Sequence, residues 1–367
     1  MVTYLRSLFQ ISSPGLFQEV FMTDKKKLIF VLIPLAVVVL AVFAFFYSRQ
    51  IRQQQDPITA TAFKLNTVVT ITVYDSQDQG ILDGALALCD EYEQIFSRTL
   101  EESELYQLNA GTLPQENGAF LLSDSLADLI SQGLYYSNLS GGAFDISIAP
   151  VSSLWDFTSG EAVLPDEQAL SEALPLVDHS QVFLDGNSLR FGMEGMELDL
   201  GAIAKGYIAD RIKDYLVSQG VESAIIDLGG NILCVGERTD GTPFRIGIQR
   251  PFADRSETAA IVEIDGKSVV SSGIYERYFE KDGVLYHHIL NPDTGYPYDN
   301  GLVSVTIISD ESVDGDGLST SCFALGLEKG MELIDSLPDV YAVFITEDGG
   351  LHFSEGFEDA FSVSYGE

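Results

Sequence analysis

Residues Glu197–Ile212 read ELDLGAIAKGYIADRI. The alternation leading into Leu198 and Leu200 predicts a strand ending at Leu200, with a turn at Gly201. A helix is expected over Ile203–Ser218, closed by Gly220. Asp199, Ala202 and Lys205 fall three residues apart across that junction. A strand-to-helix turn exposes unpaired backbone groups, and the helix amino terminus attracts anions. Lys205 could then meet a phosphate as a point charge. An ordinary surface lysine explains the same residue equally well.

Working outward, Val68–Tyr74 is rich in β-branched residues and reads as a strand, and Leu82–Phe96 carries helical periodicity. A second helix is expected over Ser123–Leu139. Residues 181–200 alternate like paired strands around Asp185-Gly186-Asn187. Ala224–Val235 reads as two strands broken at Gly229-Gly230. Ile261–Ile264, Ser268–Ser271 and Val303–Ile308 are further strands, and a last helix is expected from about Gly317 to Leu337. Helices and strands mix without a regular βαβ beat, so the fold class is α+β.

The chain has 367 residues, 46% of them hydrophobic, which is enough for a real core. Lys and Arg total 20 against 55 Asp and Glu, a formal charge of −35. That balance argues against nucleic acid as a partner, because phosphate backbones need basic surfaces. Cys89, Cys234 and Cys322 are scattered, with no CxxC, and read as small core residues rather than zinc ligands or a disulfide framework.

Leu28–Tyr47 reads LIFVLIPLAVVVLAVFAFFY, twenty residues without a charge, which suits a single transmembrane anchor. Pro34 is tolerated in such a helix. Lys25, Lys26 and Lys27 precede it, so residues 1–27 are expected in the cytoplasm and the catalytic part outside. A cleaved signal peptide is the alternative, but this core is long and ends in bulky aromatics. A polar linker over 48–59 leads to a domain over 60–367.

Three more constellations carry chemistry. The stretch Tyr286–Pro297, YHHILNPDTGYP, holds two of the four histidines, and His288 could act in proton transfer or bind a ligand. Asp314–Thr320, DGDGLST, places Asp316 and Thr320 four apart on one helical face. A carboxylate and a hydroxyl are hard oxygen donors of the kind Mg²⁺ takes alongside water and substrate phosphate. Helix capping by Asp314 or Asp316 is the competing explanation. In Ser140–Asp145, SGGAFD, glycines before an aromatic allow backbone to approach a flat ligand, although a tight turn explains them too. Trp155 reads as core.

In order and wording these segments closely resemble the ApbE-type FAD:protein FMN transferase family. The matching elements are GGAFDISIAPVSSLWDF, LDLGAIAKGYIADRI, IIDLGGNI, VVSSGIYERYF, HHILNPDTGYP and DGLSTSCFALG, with FSRTLEESELYQLN before them. The resemblance covers roughly residues 60 to 365 and implies an ApbE-like α+β fold of mixed sheets and packed helices. It implies transfer of the FMN moiety of FAD, with Mg²⁺, onto a Thr or Ser of a target protein, releasing AMP. Leu65, Ala143, Phe144, Asp145, Asp199, Lys205, His288 and Leu290 would then contact the nucleotide. Ala202 (through its carbonyl), Asp316, Ser319 and Thr320 would hold the metal. Asp316 and His288 are the candidates for the catalytic base. By analogy the acceptor is a membrane or extracytoplasmic redox protein.

Two positions depart from the family pattern. Leu65-Asn66-Thr67 stands where Met-Gly-Thr is common, and Ser272-Gly273-Ile274-Tyr275 lacks the polar residue of a Ser-Gly-Asp-Tyr segment. Two rival activities use the same pocket: an FAD hydrolase yielding FMN and AMP, and a non-catalytic flavin carrier.

Overall fold

An eight-stranded antiparallel sheet organises the domain, and its spatial order follows chain order throughout. Its strands are Ile58–Lys64, Thr67–Val73, Ala224–Leu228, Asn231–Val235, Ser268–Gly273, Leu302–Ser309, Tyr341–Thr346 and Leu351–Phe353. Apart from the short C-terminal helix and strand after Phe353, the remaining elements are inserted between consecutive strands, so each excursion leaves and returns along the sheet. The computed structural model describes residues 32–33, 35–40, 56–254 and 256–366.

The longest excursion, between the second and third strands, carries the helices Gln79–Phe96, Asp124–Leu139 and Ala204–Ser218. Leu82, Leu126, Ile130, Ile208 and Ile212 from these helices pack with Val69, Ile71 and Ile226 of the sheet and Phe323 of the last helix. The three-stranded sheet formed by Phe244–Gln249, Thr258–Ile264 and Val363–Tyr365 packs against later strands, where Ile246, Ile248 and Val262 meet Val269, Ile308 and Val343. Leu302–Ser309 is therefore buried along its whole length. Burying a Val, Leu or Ile side chain contributes about 1.5–3 kcal/mol each, which anchors this central strand.

Most expected elements lie within a few residues of their expected limits, and the α+β class is the one observed. Two expectations are corrected. Residues 197–200 form no strand; the paired strands end at Phe191. The stretch is instead clipped by a side chain: Asn109 Nδ2 donates to the Leu198 carbonyl and Leu198 N–H donates back to Asn109 Oδ1, both at 2.9 Å. Apolar alternation signals one buried face, but a side-chain amide can satisfy the backbone in place of a neighbouring strand. The last helix runs over Ser312–Asp335, kinked at Gly326, and so begins five residues before the expected Gly317. Asp314 and Asp316 lie inside it and do not cap its start.

The anchor expected over 28–47 lies outside the described residues except for 32–33 and 35–40, which are helical. Residues 1–27 and most of the 48–59 linker also lie outside. Among the described residues no helix is long and apolar enough to cross a membrane. Residues 1–54 and 55–367 form two separate units.

Candidate active site

The site is built where the helices Ala204–Ser218 and Ser312–Asp335 cross. Gly206 lets them approach, since a Cβ there would lie 2.3 Å from the Ser312 carbonyl oxygen. Through this gap Gly206 N–H donates to Asp316 Oδ2 at 2.6 Å. Gly206 is the third residue of its helix, so its N–H is one of the first-turn amides with no acceptor inside the helix, and Asp316 supplies one. The Ala202 carbonyl, just before the helix, accepts no hydrogen bond among the described residues.

Asp316 is buried, and its other oxygen, Oδ1, accepts from Asn231 Nδ2 at 3.0 Å. Burial raises its carboxyl above the ordinary range, while the Lys205 charge and the Asn231 and Gly206 bonds oppose that. The opposing bonds have one donor per oxygen, so each oxygen retains a free lone pair. On the following turn Ser319 Oγ lies 2.8 Å and Thr320 Oγ1 3.1 Å from Ser272 Oγ. One carboxylate, a bare carbonyl and a group of hydroxyls are all hard oxygens, the set that suits Mg²⁺ completed by water and phosphate. The donor chemistry fits the ion.

The helix start is held from outside itself. Glu311 offers no side-chain cap; instead Asp210 Oδ1 and Oδ2 accept from the Ser312 and Val313 N–H groups at 2.7 and 2.9 Å. Burial pushes the Asp210 carboxyl up to about 7, against the pull of those two bonds.

Lys205 is half-buried and makes no hydrogen bond or ion pair among the described residues. Its charge acts on both Asp316 and His288, which places it between them electrostatically. Asp199 does not pair with it. Asp199 Oδ2 lies 3.2 Å from an Arg98 guanidinium nitrogen and accepts from Ser152 Oγ at 3.0 Å, while Oδ1 accepts from Gly201 N–H. A cleft of about 380 Å³ opens here, lined by Arg98, Thr99, Tyr106, Asn109 and Glu197.

The two histidines differ. His287 is buried, with Nε2 on the Tyr298 carbonyl at 2.9 Å and Nδ1 accepting from Ile289 N–H, so it holds the loop. His288 Nδ1 faces the Arg277 carbonyl at 3.3 Å. Since a carbonyl only accepts, Nδ1 carries the proton and Nε2 the lone pair. Burial first, then the Arg277, His287 and Lys205 charges, push its pKa down to about 4.

The glycine-rich turn is joined to the histidine loop, because Tyr298 Oη donates to the Ala143 carbonyl at 2.9 Å. Phe144 and Asp145 are buried. Asp145 accepts from Ser147 N–H and Oγ on one oxygen and from His179 N–H on the other, with His179 Nδ1 at 3.0 Å. Its carboxylate thus braces the protein, and only Ala143 of the three retains partial exposure. Leu290 is packed in an aromatic cluster with Trp155 and Phe279. Trp155 itself is core, its indole N–H donating to the Gly295 carbonyl at 2.9 Å.

Leu65 and Asn66 form a two-residue hairpin turn with φ of 53° and 56°, the positive pair a type I′ turn requires. Asn66 tolerates this conformation, so the departure from glycine costs little there; Leu65 is the strained residue. The turn sits against Gly229, where a Cβ would lie 2.0 Å from Thr67 Oγ1. Leu65 is thereby placed beside the Gly229-Gly230 turn that delivers Asn231 to Asp316.

The geometry thus joins Asp316 to the helix start that carries Ala202 and Lys205, sets Ser319 and Thr320 together on Ser272, keeps His288 on the Arg277 loop within reach of the Lys205 charge, and pairs Asp199 with Arg98. Sequence reasoning missed Arg98, Asn231, Ser272, Asp210 and Tyr298. Four of these lay within quoted motifs, yet nothing in their spacing announced a partner distant in the chain; Tyr298 lies just beyond one.

A mixed α+β fold with a half-buried lysine and a set of oxygen donors at a helix crossing is the architecture of an enzyme class identified by its relatives. Residues 65–345 match the ApbE family profile. An FAD:protein FMN transferase of Klebsiella pneumoniae is 39% identical over 292 residues, 78% of this chain and 89% of that one. One from Treponema pallidum is 36% identical over 319 residues, 82% and 87% of the two chains. The flavin transferase ApbE structure from Vibrio cholerae superposes with a TM-score of 0.74 at 27% identity, covering 83% of this chain and 99% of that one. The ApbE protein of Thermotoga maritima gives 0.74 at 30% identity, covering 83% and 98%. The chain belongs to the ApbE family.

Proposed function

We propose that Asp316, Ala202, Ser319, Thr320 and Lys205 form the corner at which this FAD:protein FMN transferase holds the diphosphate of FAD. The activity rests on the family and its curated relatives. The observation that carries the site is the bond from the first-turn amide of Gly206 to Asp316, which fixes a buried carboxylate against the start of the Ala204–Ser218 helix.

The Asp316 carboxylate, the Ala202 carbonyl and the Ser319 and Thr320 hydroxyls would hold Mg²⁺. The ion would neutralise charge on the diphosphate as its bridging bond breaks. Lys205 attracts the same phosphates from the helix start. The hydroxyl oxygen of an acceptor Thr or Ser attacks the FMN phosphorus, the phosphorus–oxygen bond to AMP breaks, and AMP leaves with the bridging oxygen. His288 Nε2 takes the hydroxyl proton. It is the better base of the two candidates, because both Asp316 oxygens already accept protein donors and their remaining lone pairs would be taken up in holding the ion. Ala143, Leu65 and the Arg98–Asp199 cleft would bound the rest of the nucleotide.

The charge-free stretch 28–47 after three lysines supports a single-pass membrane anchor with residues 1–27 cytoplasmic and the catalytic domain extracytoplasmic. The acceptor would then be a membrane or extracytoplasmic redox protein. Incubation of the chain with FAD, Mg²⁺ and such an acceptor domain tests the reading. Flavin fluorescence on the acceptor after denaturing electrophoresis, with AMP in equal amount, is expected. Free FMN without labelling would instead identify a hydrolase.

A further inference from the structure

Asn231 is 1% exposed and opens the strand Asn231–Val235 directly after the Gly229-Gly230 turn. Its amide makes two contacts on the last helix. Nδ2 donates to Asp316 Oδ1 at 3.0 Å, and Oδ1 accepts from Ser312 Oγ at 2.8 Å. Ser312 Oγ in turn accepts from Ser268 Oγ, at 2.8 Å, on the neighbouring strand. A carboxylate can only accept, so the NH₂ end must face Asp316 and the carbonyl end must face Ser312. The amide orientation is therefore dictated at both ends.

Ser312 and Asp316 are four residues apart, one above the other on the same helical face. Asn231 thus grips the helix at two points one turn apart and fixes its roll against the sheet. It also fixes the carboxylate plane, since Gly206 N–H holds Oδ2 and Asn231 holds Oδ1. Without Asn231 the carboxylate keeps one donor and can turn about its Cβ–Cγ bond. Among the described residues Asp316 belongs to no group of three or more acidic, His or Cys side chains that could hold a metal.

We propose that Asn231 is a positioning residue that sets the divalent-ion affinity of the FAD-loaded site by fixing the Asp316 carboxylate. This rests on the metal reading given above. Partners that orient a ligating group typically govern affinity by about 10–100-fold.

The test uses the full chain with Mn²⁺ as probe, the free ion counted by electron paramagnetic resonance in the presence of FAD. Asn231→Ala should weaken Mn²⁺ binding about 10–100-fold. FAD binding in chelator should be preserved, and the rate should return toward that of the parent at saturating metal. A merely structural role would lower the rate at every metal concentration and leave Mn²⁺ affinity alone. If Asn231→Ala binds Mn²⁺ like the parent while Asp316→Ala does not, the inference fails and the metal reading stands. If Asp316→Ala also binds like the parent, the metal reading fails and takes the inference with it. Should Asn231→Ala not fold, Ser312→Ala removes the partner of the amide carbonyl, along with the bond from Ser268, and unchanged Mn²⁺ affinity in that variant overturns the proposal.

Discussion

Gly206 N–H donates to Asp316 Oδ2 at 2.6 Å across the crossing of two helices, so a first-turn amide of one helix is satisfied by a side chain of the other. One hydrogen bond therefore couples helix packing to site chemistry. The coupling requires glycine, because a Cβ at 206 would sit 2.3 Å from the Ser312 carbonyl. Gly206→Ala should push the helices apart and cost about 1–3 kcal/mol by overpacking. The Ala202 carbonyl and Asp316 should lose their alignment together. Urea unfolding gives the stability loss, and FMN transfer measured against Mg²⁺ concentration should show a right-shifted curve. A variant with parental stability and metal response would break the coupling.

Asp316→Ala removes the carboxylate of the oxygen-donor corner. AMP release from FAD should fall by at least about 100-fold, more than is typical of losing a partner that merely orients a ligand. Chromatographic measurement of AMP, with and without acceptor, checks this for transfer and hydrolysis together. A variant that cleaves FAD at the parental rate would place the chemistry elsewhere.

The α+β class and most elements were legible in the sequence because their signals are local. Gly229-Gly230 between two β-branched runs, and Ser123 before a periodic stretch, name a turn and a helix cap without reference to the rest of the chain. The site was legible as motifs but not as bonds. Nothing within 197–200 reveals that Asn109, some ninety residues earlier, takes the place of a neighbouring strand. The start of the last helix was misjudged for a similar reason. Asp210, on another helix, caps Ser312 and Val313, so the local sequence carries no capping residue of its own.

His288 has a specific pH signature. With its pKa pushed down to about 4, it stays neutral and able to accept a proton through the whole neutral range. As the base, it should give an acid limb in kcat/KM near pH 4 rather than near the ordinary histidine value of about 6.5. His288→Ala should lower kcat about 10²–10⁴-fold and abolish that limb, leaving FAD affinity little changed. Initial rates across pH 4–8 at limiting FAD and saturating metal measure it. An acid limb near 6.5 that survives the substitution would assign the base elsewhere.

Asp210 makes the last prediction, one of stability. Its folded carboxyl titrates at about 7, raised chiefly by burial, against about 3.9 in an unfolded chain. The folded protein therefore binds this proton more tightly than the unfolded one. Its contribution is fully present below about pH 4, declines as pH rises, and is exhausted above about 7. The three-unit difference corresponds to about 4 kcal/mol as an upper bound. Asp210→Asn cannot titrate, and it keeps one acceptor for the Ser312 and Val313 amides. Urea unfolding of parent and variant at pH 4.5 and 8 isolates the term, because the repulsion among the remaining acidic side chains is nearly common to both. The parent should lose stability relative to the variant on going to pH 8. A stability difference independent of pH would mean that Asp210 is ionised throughout and caps the helix as a permanent anion.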